Sequence, residues 1–155
     1  MVNTRYLTTA VEDHVRDVLS AEHQVVFGKQ RLRLQPGGYH EFDAVADNGR
    51  VVASIKTASV RTSGGGHPAG NIMNCIAELY FLSLVRAPKR LLILTSADFH
   101  ELFVEAMKGK IPRGIDIVHL PLPADVQVRL AAVQRAANDE IQPVLDPTEL
   151  RAVGG

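Results

Sequence analysis

A single cysteine, Cys75, stands in a chain of 155 residues. That excludes an internal disulfide and the stapled scaffolds of small secreted domains. Its place in an apolar helical pattern reads as a small buried core residue, and it fits a reducing compartment. Neither sign of charge is in excess: Lys plus Arg and Asp plus Glu number 17 each. No net field therefore draws the chain onto nucleic acid or an anionic membrane, and any nucleic-acid contact must run through a local patch. No apolar run reaches the roughly 18 residues of a membrane span. The opening "MVNTRYLTTAVEDH" meets charges and hydroxyls too early for a signal sequence. The expectation is a cytoplasmic protein with no membrane partner.

Motifs of several chemistries are missing too. His14, His23, His40, His100 and His119 show no HxxxH or HExxH spacing, which argues against zinc. There is no Gly-x-Ser-x-Gly, and a cysteine within a buried helix is a poor nucleophile. What is present is the composition of an ordinary folded domain, 46% hydrophobic and 22% charged. The length suits one domain. We expect it over residues 1–142, with 143–155 as a Pro-containing tail.

From Leu7 to Leu19, apolar Val11, Val15, Val18 and Leu19 recur at helical spacing, with Thr8 or Thr9 as N-cap. "HQVVFGKQRLRLQ", bounded by "PGG", reads as a strand or bent ribbon. "YHEFDAV" and "RVVASIKT" flank Ala46-Asp47-Asn48-Gly49, and Asn-Gly between β-prone runs predicts a hairpin with a type I′ turn. A Gly-rich loop, Ser59 to Asn71, leads into a helix over Asn71 to Val85. Its face of Ile72, Cys75, Ile76, Leu79 and Leu82 is thickened almost all round by Tyr80, Phe81 and Leu84, so it should be largely buried.

"LLILTS" reads as a central strand covered on both faces. A helix from Ala97 to about Lys108 follows, capped by Ser96, with Phe99, Leu102, Phe103 and Ala106 inward. "IDIVHLPL" is a last strand, and Pro123 at N1 opens a final helix to about Asn138. The order predicts an α/β fold with helices on both faces of one mixed sheet.

With Asn48 and Gly49 as the turn, cross-strand partners have numbers summing to 97, so Asp43 faces Ser54 and Glu41 faces Lys56. Strand alternation then puts Glu41, Asp43, Ser54 and Lys56 on one face, with Phe42, Ala44, Val51, Ala53 and Ile55 on the other. A solvated cross-strand Glu41–Lys56 pair is the plain reading. The apolar helix that follows argues instead that this face is covered, and a covered face does not keep Asp and Lys without a reason.

The arrangement resembles the PD-(D/E)XK nuclease superfamily. That restriction-endonuclease-like fold has an αβββαβ core, with an Asp on the first hairpin strand and acid-x-Lys on the second. "FDAVADNGRVVASIKT" supplies Asp43 and Lys56, and the element order agrees from Leu7 to Ser96, about two thirds of the chain. The remaining α-β-α elements are additions at the C-terminus.

The resemblance implies a Mg²⁺-dependent (or Mn²⁺-dependent) endonuclease acting on DNA. Its small size suggests a homodimer or a subunit of a larger complex. Asp43 would hold the metal, Lys56 would stabilise charge and position water, and Ser54 stands where the second acid is expected, supporting the ligands around it. Some branches of the superfamily carry Ser-x-Lys with the glutamate displaced to the next helix. "SIK" followed by "NCIAELYF" matches this, and makes Glu78 the replacement ligand; otherwise Glu78 is a glutamate at the helix boundary.

Glu12 is a second candidate for metal ligand, because relatives carry a glutamate on the first helix. It also completes a capping box with Thr9. Glu41 is a third, as ligand or as partner of Lys56. Arg61, Ser63 and His67 in the Gly-rich loop are candidates for binding substrate phosphate, unless the loop is only a connector. The alternative function is a nuclease-fold protein without catalysis, acting as a nucleic-acid-binding or structural subunit; neutral charge and the missing strand acid favour it.

Overall fold

The structure, a computed structural model, describes residues 4–60 and 68–141. Its sheet grows from the hairpin of β2 (Tyr39–Ala46) and β3 (Val51–Lys56). Ala44 pairs with Ala53 and Val45 with Val52, the register expected from sequence. The turn itself differs from type I′. Gly49 N–H closes on the Ala46 carbonyl at 2.8 Å, and Gly49 alone is in the left-handed region, at φ 71°. The Asn48 side chain accepts the Arg50 N–H at 3.0 Å, an Asx turn that replaces the second positive φ.

On one side β1 (Phe27–Arg33) pairs antiparallel with β2; on the other β4 (Lys89–Leu94) and then β5 (Ile115–His119) add in parallel. The result is a five-stranded mixed sheet in the order β1-β2-β3-β4-β5. Among the described residues four helices flank it: α1 (Thr4–His23), α2 (Ala69–Ser83), α3 (Ala97–Ala106) and α4 (Ala124–Ile141).

Each face of the sheet carries its own core. Ala44, Val51, Ala53, Ile55, Leu91 and Ile93 pack with Val15 and Leu19 of α1. Val45, Val52, Leu92 and Leu94 pack with Cys75, Leu79 and Leu82 of α2 and with Phe99 and Phe103 of α3. Phe42, Phe99 and Phe103 are fully buried, each worth about 2–3 kcal/mol of transfer free energy. β4 is buried on both faces, as its apolar run requires. Arg90 ties the layers together, donating to the carbonyls of Leu82 at 3.0 Å and Arg113 at 2.9 Å.

Several local expectations are corrected. α1 begins at Thr4, so Thr8 and Thr9 lie inside it and Thr9-Glu12 is not a capping box. α2 is not buried all round: Met73 and Tyr80 stand 63% and 59% exposed. α3 buries Phe99 and Phe103 under its Ser96 cap, while Ala106 is exposed and Met107 is buried in its place. α4 starts at Ala124, one residue after Pro123. The expected tail, 143–155, lies outside the described residues.

Candidate functional site

The site begins at an irregularity in β2. Gly28 faces Val45, yet Gln30 faces Phe42, so two residue steps on β1 span three on β2. One extra residue on β2 switches the alternation of side chains on either side of it. Phe42 accordingly joins the core under α2 rather than the Ala44 face. Glu41 leaves Lys56 altogether and lies 3.5 Å from Lys29. The expected four-residue cluster of Glu41, Asp43, Ser54 and Lys56 therefore loses its first member.

Asp43 sits in this irregular stretch. Its Oδ2 accepts the Ile55 N–H at 2.8 Å, so a side chain rather than a β2 carbonyl satisfies that amide. Its own carbonyl accepts Arg16 Nη1 of α1 at 2.8 Å. Arg16 is braced in turn by Asp13 at 2.7 Å and Glu12 at 3.5 Å. Helix, bulge and hairpin are thus joined through one residue.

Glu78 reaches the sheet from α2. Its Oε2 accepts the Ser54 hydroxyl at 2.9 Å and faces His40 Nε2 at 3.3 Å; its Oε1 faces Lys56 Nζ at 3.7 Å. Ser54 is fully buried, so this hydrogen bond is what permits a hydroxyl in the centre of the core. Glu78 is only 16% exposed, and its three polar neighbours account for a carboxylate there.

The charges around Asp43 are unbalanced. Burial pushes its carboxyl above the ordinary value of 3.8, and the negative charges of Glu12 and Glu78 push the same way. The Ile55 N–H and the Lys56 ammonium oppose them without prevailing. Glu12 is itself held between Arg16 and Lys29, the latter at 3.6 Å. It also raises the Lys29 ammonium above 10.5. A carboxylate that burial and neighbouring negative charge disfavour is relieved by a nearby cation. Among the described residues no three His, Cys, Asp or Glu form a complete metal cluster. Mg²⁺ needs less than that, since one or two carboxylates suffice when water and phosphate fill the remaining positions. Asp43 and Glu78 carry carboxylate oxygens, the donor type such an ion takes.

Of the residues expected from sequence, Ser54 and Lys56 both meet Glu78, Asp43 feels the charges of Glu78 and Lys56, and Glu12 is adjacent but committed to two cations. Arg61, Ser63 and His67 lie outside the described residues. Sequence reasoning missed Arg16 and His40. Arg16 stands one turn after Glu12, a spacing that could have suggested an ion pair. His40 carries no such signal, because its partner is 38 residues away. A cavity of about 320 Å³ lies past the end of β3, with Thr57, Ser59, Thr95, Ser96 and His119 in its wall. That is the carboxyl end of the parallel strands, where α/β sheets commonly take ligands.

Fold and site together define an α/β protein with a partly buried carboxylate, serine and lysine cluster where β2 and β3 part beneath α2. No family model, curated protein or solved structure matches the chain. No described helix is long and apolar enough to cross a membrane.

Proposed function

We propose that the protein is a Mg²⁺-dependent endonuclease of the PD-(D/E)XK type that hydrolyses DNA phosphodiester bonds. The contact that carries this reading is Ser54 to Glu78. It brings a helix carboxylate to the strand position where the family's acid-x-Lys would place one, two residues before Lys56. The mixed sheet and the order of its elements support the same reading.

Asp43 and Glu78 would hold the ion, with Glu12 close enough to act on Asp43 through its charge. Mg²⁺ or Mn²⁺ neutralises phosphate charge and acidifies a water when bound. Lys56 sets a positive charge beside the developing negative charge of the phosphoryl oxygens. Ser54 holds Glu78 in place, and the Ile55 amide holds Asp43. Arg61, Ser63 and His67, which follow Lys56 in the chain, are proposed to bind backbone phosphates, so that a neutral protein contacts DNA locally.

One observation favours a second reading, a nuclease-fold protein without catalysis that binds nucleic acid or serves as a structural subunit. Glu78 already has Ser54, His40 and Lys56 about its two oxygens, so the network is satisfied by protein groups alone. Incubation of supercoiled plasmid and of branched DNA with Mg²⁺ separates the two. On the enzyme reading the wild type cleaves and Lys56→Ala does not. No cleavage by either supports the second reading, and equal cleavage by both traces to a contaminant.

A further inference from the structure

We infer that His40 is a positioning residue for Glu78, fixing which carboxylate oxygen remains open to a cation. The inference rests on the reading of Asp43 and Glu78 as a cation site. The His40 ring is held on two sides. It stacks on Phe81 with centroids 4.0 Å apart and planes 11° from parallel. It also meets Phe42 edge-on at 4.8 Å and 75°. Phe81 and Glu78 are three residues apart on α2, one turn of the same helix. One helical turn therefore supplies both the platform that orients the imidazole and the carboxylate that the imidazole meets.

The bulge in β2 makes this possible. Phe42 faces α2 only because of the extra residue between it and Val45, and His40 follows it by strand alternation. With Nε2 as the protonated nitrogen, His40 donates to Glu78 Oε2, the oxygen that also accepts from Ser54. Two donors on Oε2 leave Oε1 on the Lys56 side, where among the described residues only an ion-pair contact at 3.7 Å competes for it. Without His40 the carboxylate keeps a single hydrogen bond, from Ser54, and is free to rotate toward Lys56. A cation would then have to displace a closer ion pair.

Groups that orient a ligand from behind in this way typically change metal affinity by about 10- to 100-fold when removed. The test is a calorimetric titration of Mg²⁺ into the full chain. It uses wild type, His40→Phe, His40→Ala and His40→Gln, with thermal midpoints taken in EDTA. Phe keeps the stack on Phe81 and lacks the donor; Gln can present an amide N–H near the position of Nε2. The expected result is Mg²⁺ affinity about tenfold or more weaker in both His40→Phe and His40→Ala, with affinity recovered in His40→Gln. The midpoint of His40→Phe drops only by the loss of one hydrogen bond, and the variant stays folded at the titration temperature. Wild-type affinity in His40→Phe, or a Gln variant as weak as Phe, overturns the role of His40 while leaving the cation site standing. A wild type that takes up no Mg²⁺ at millimolar concentration overturns the cation site, and the role of His40 with it.

Discussion

Ser54 Oγ donates a 2.9 Å hydrogen bond to Glu78 Oε2, joining the middle of β3 to the helix that covers it. Ser54 has no exposed surface, so its hydroxyl has no water to turn to if Glu78 moves. Ser54→Ala removes donor and hydroxyl together, which should lower stability by about 1 kcal/mol in urea denaturation. An unchanged midpoint would mean that the bond contributes nothing to the fold.

The ionised Asp43 carboxylate stabilises the fold less than its protonated form does. Its carboxyl titrates above 3.8 when folded, so the native state binds the proton more tightly than the unfolded chain. Stability therefore falls as pH rises from 3.8 through the folded value, and the full penalty applies above it. Asp43→Asn should raise the thermal midpoint at pH 7, and the gain should shrink as pH drops toward 3.8. Thermal scans across this range check the sign. A gain that grows on acidification would contradict it.

Arg16 holds the Asp43 carbonyl from α1 while pairing with Glu12 and Asp13. Arg16→Met keeps the aliphatic stem and removes the guanidinium. The expected loss is about 1.5–3 kcal/mol in chemical denaturation, the range for a hydrogen bond from a charged donor. The Ile55 amide, which donates across to Asp43 in the bulge, should also exchange its proton faster.

Cys75 is fully buried, and burial pushes its thiol up to about 11, with Glu78 adding to the shift and Lys56 opposing it. The thiolate is the reactive form. Native protein at pH 8 should therefore resist iodoacetamide, and modification should follow unfolding by guanidinium. Rapid labelling of the native state would place the thiol at the surface.

The β2–β3 register was legible because Asn48-Gly49 marks the turn and side chains alternate beyond it. The alternation failed where β2 acquires its extra residue, since nothing in "YHEFDAV" announces a bulge. That single residue moved Glu41 to Lys29 and carried Phe42 under α2. The expected start of α1 failed for a different reason. Thr9 and Glu12 have the spacing of a capping box, but the helix continues back to Thr4. Glu78 was legible because "SIK" is followed by a glutamate on the next helix, in "NCIAELYF". His40 was not, because its role comes from a contact between two elements that no local pattern encodes.

The central claim is that Glu78 on α2 supplies the acid that β3 lacks at Ser54. Returning the acid to the strand tests it directly, by measuring Mg²⁺-dependent DNA cleavage for wild type, Glu78→Gln, and Glu78→Gln combined with Ser54→Asp. The account predicts that Glu78→Gln loses about 100-fold or more of the rate, because several kcal/mol of charge stabilisation at the metal depends on that ligand. It predicts that the double variant recovers activity over Glu78→Gln. A wild type that does not cleave, or Glu78→Gln cleaving at the wild-type rate, would contradict it.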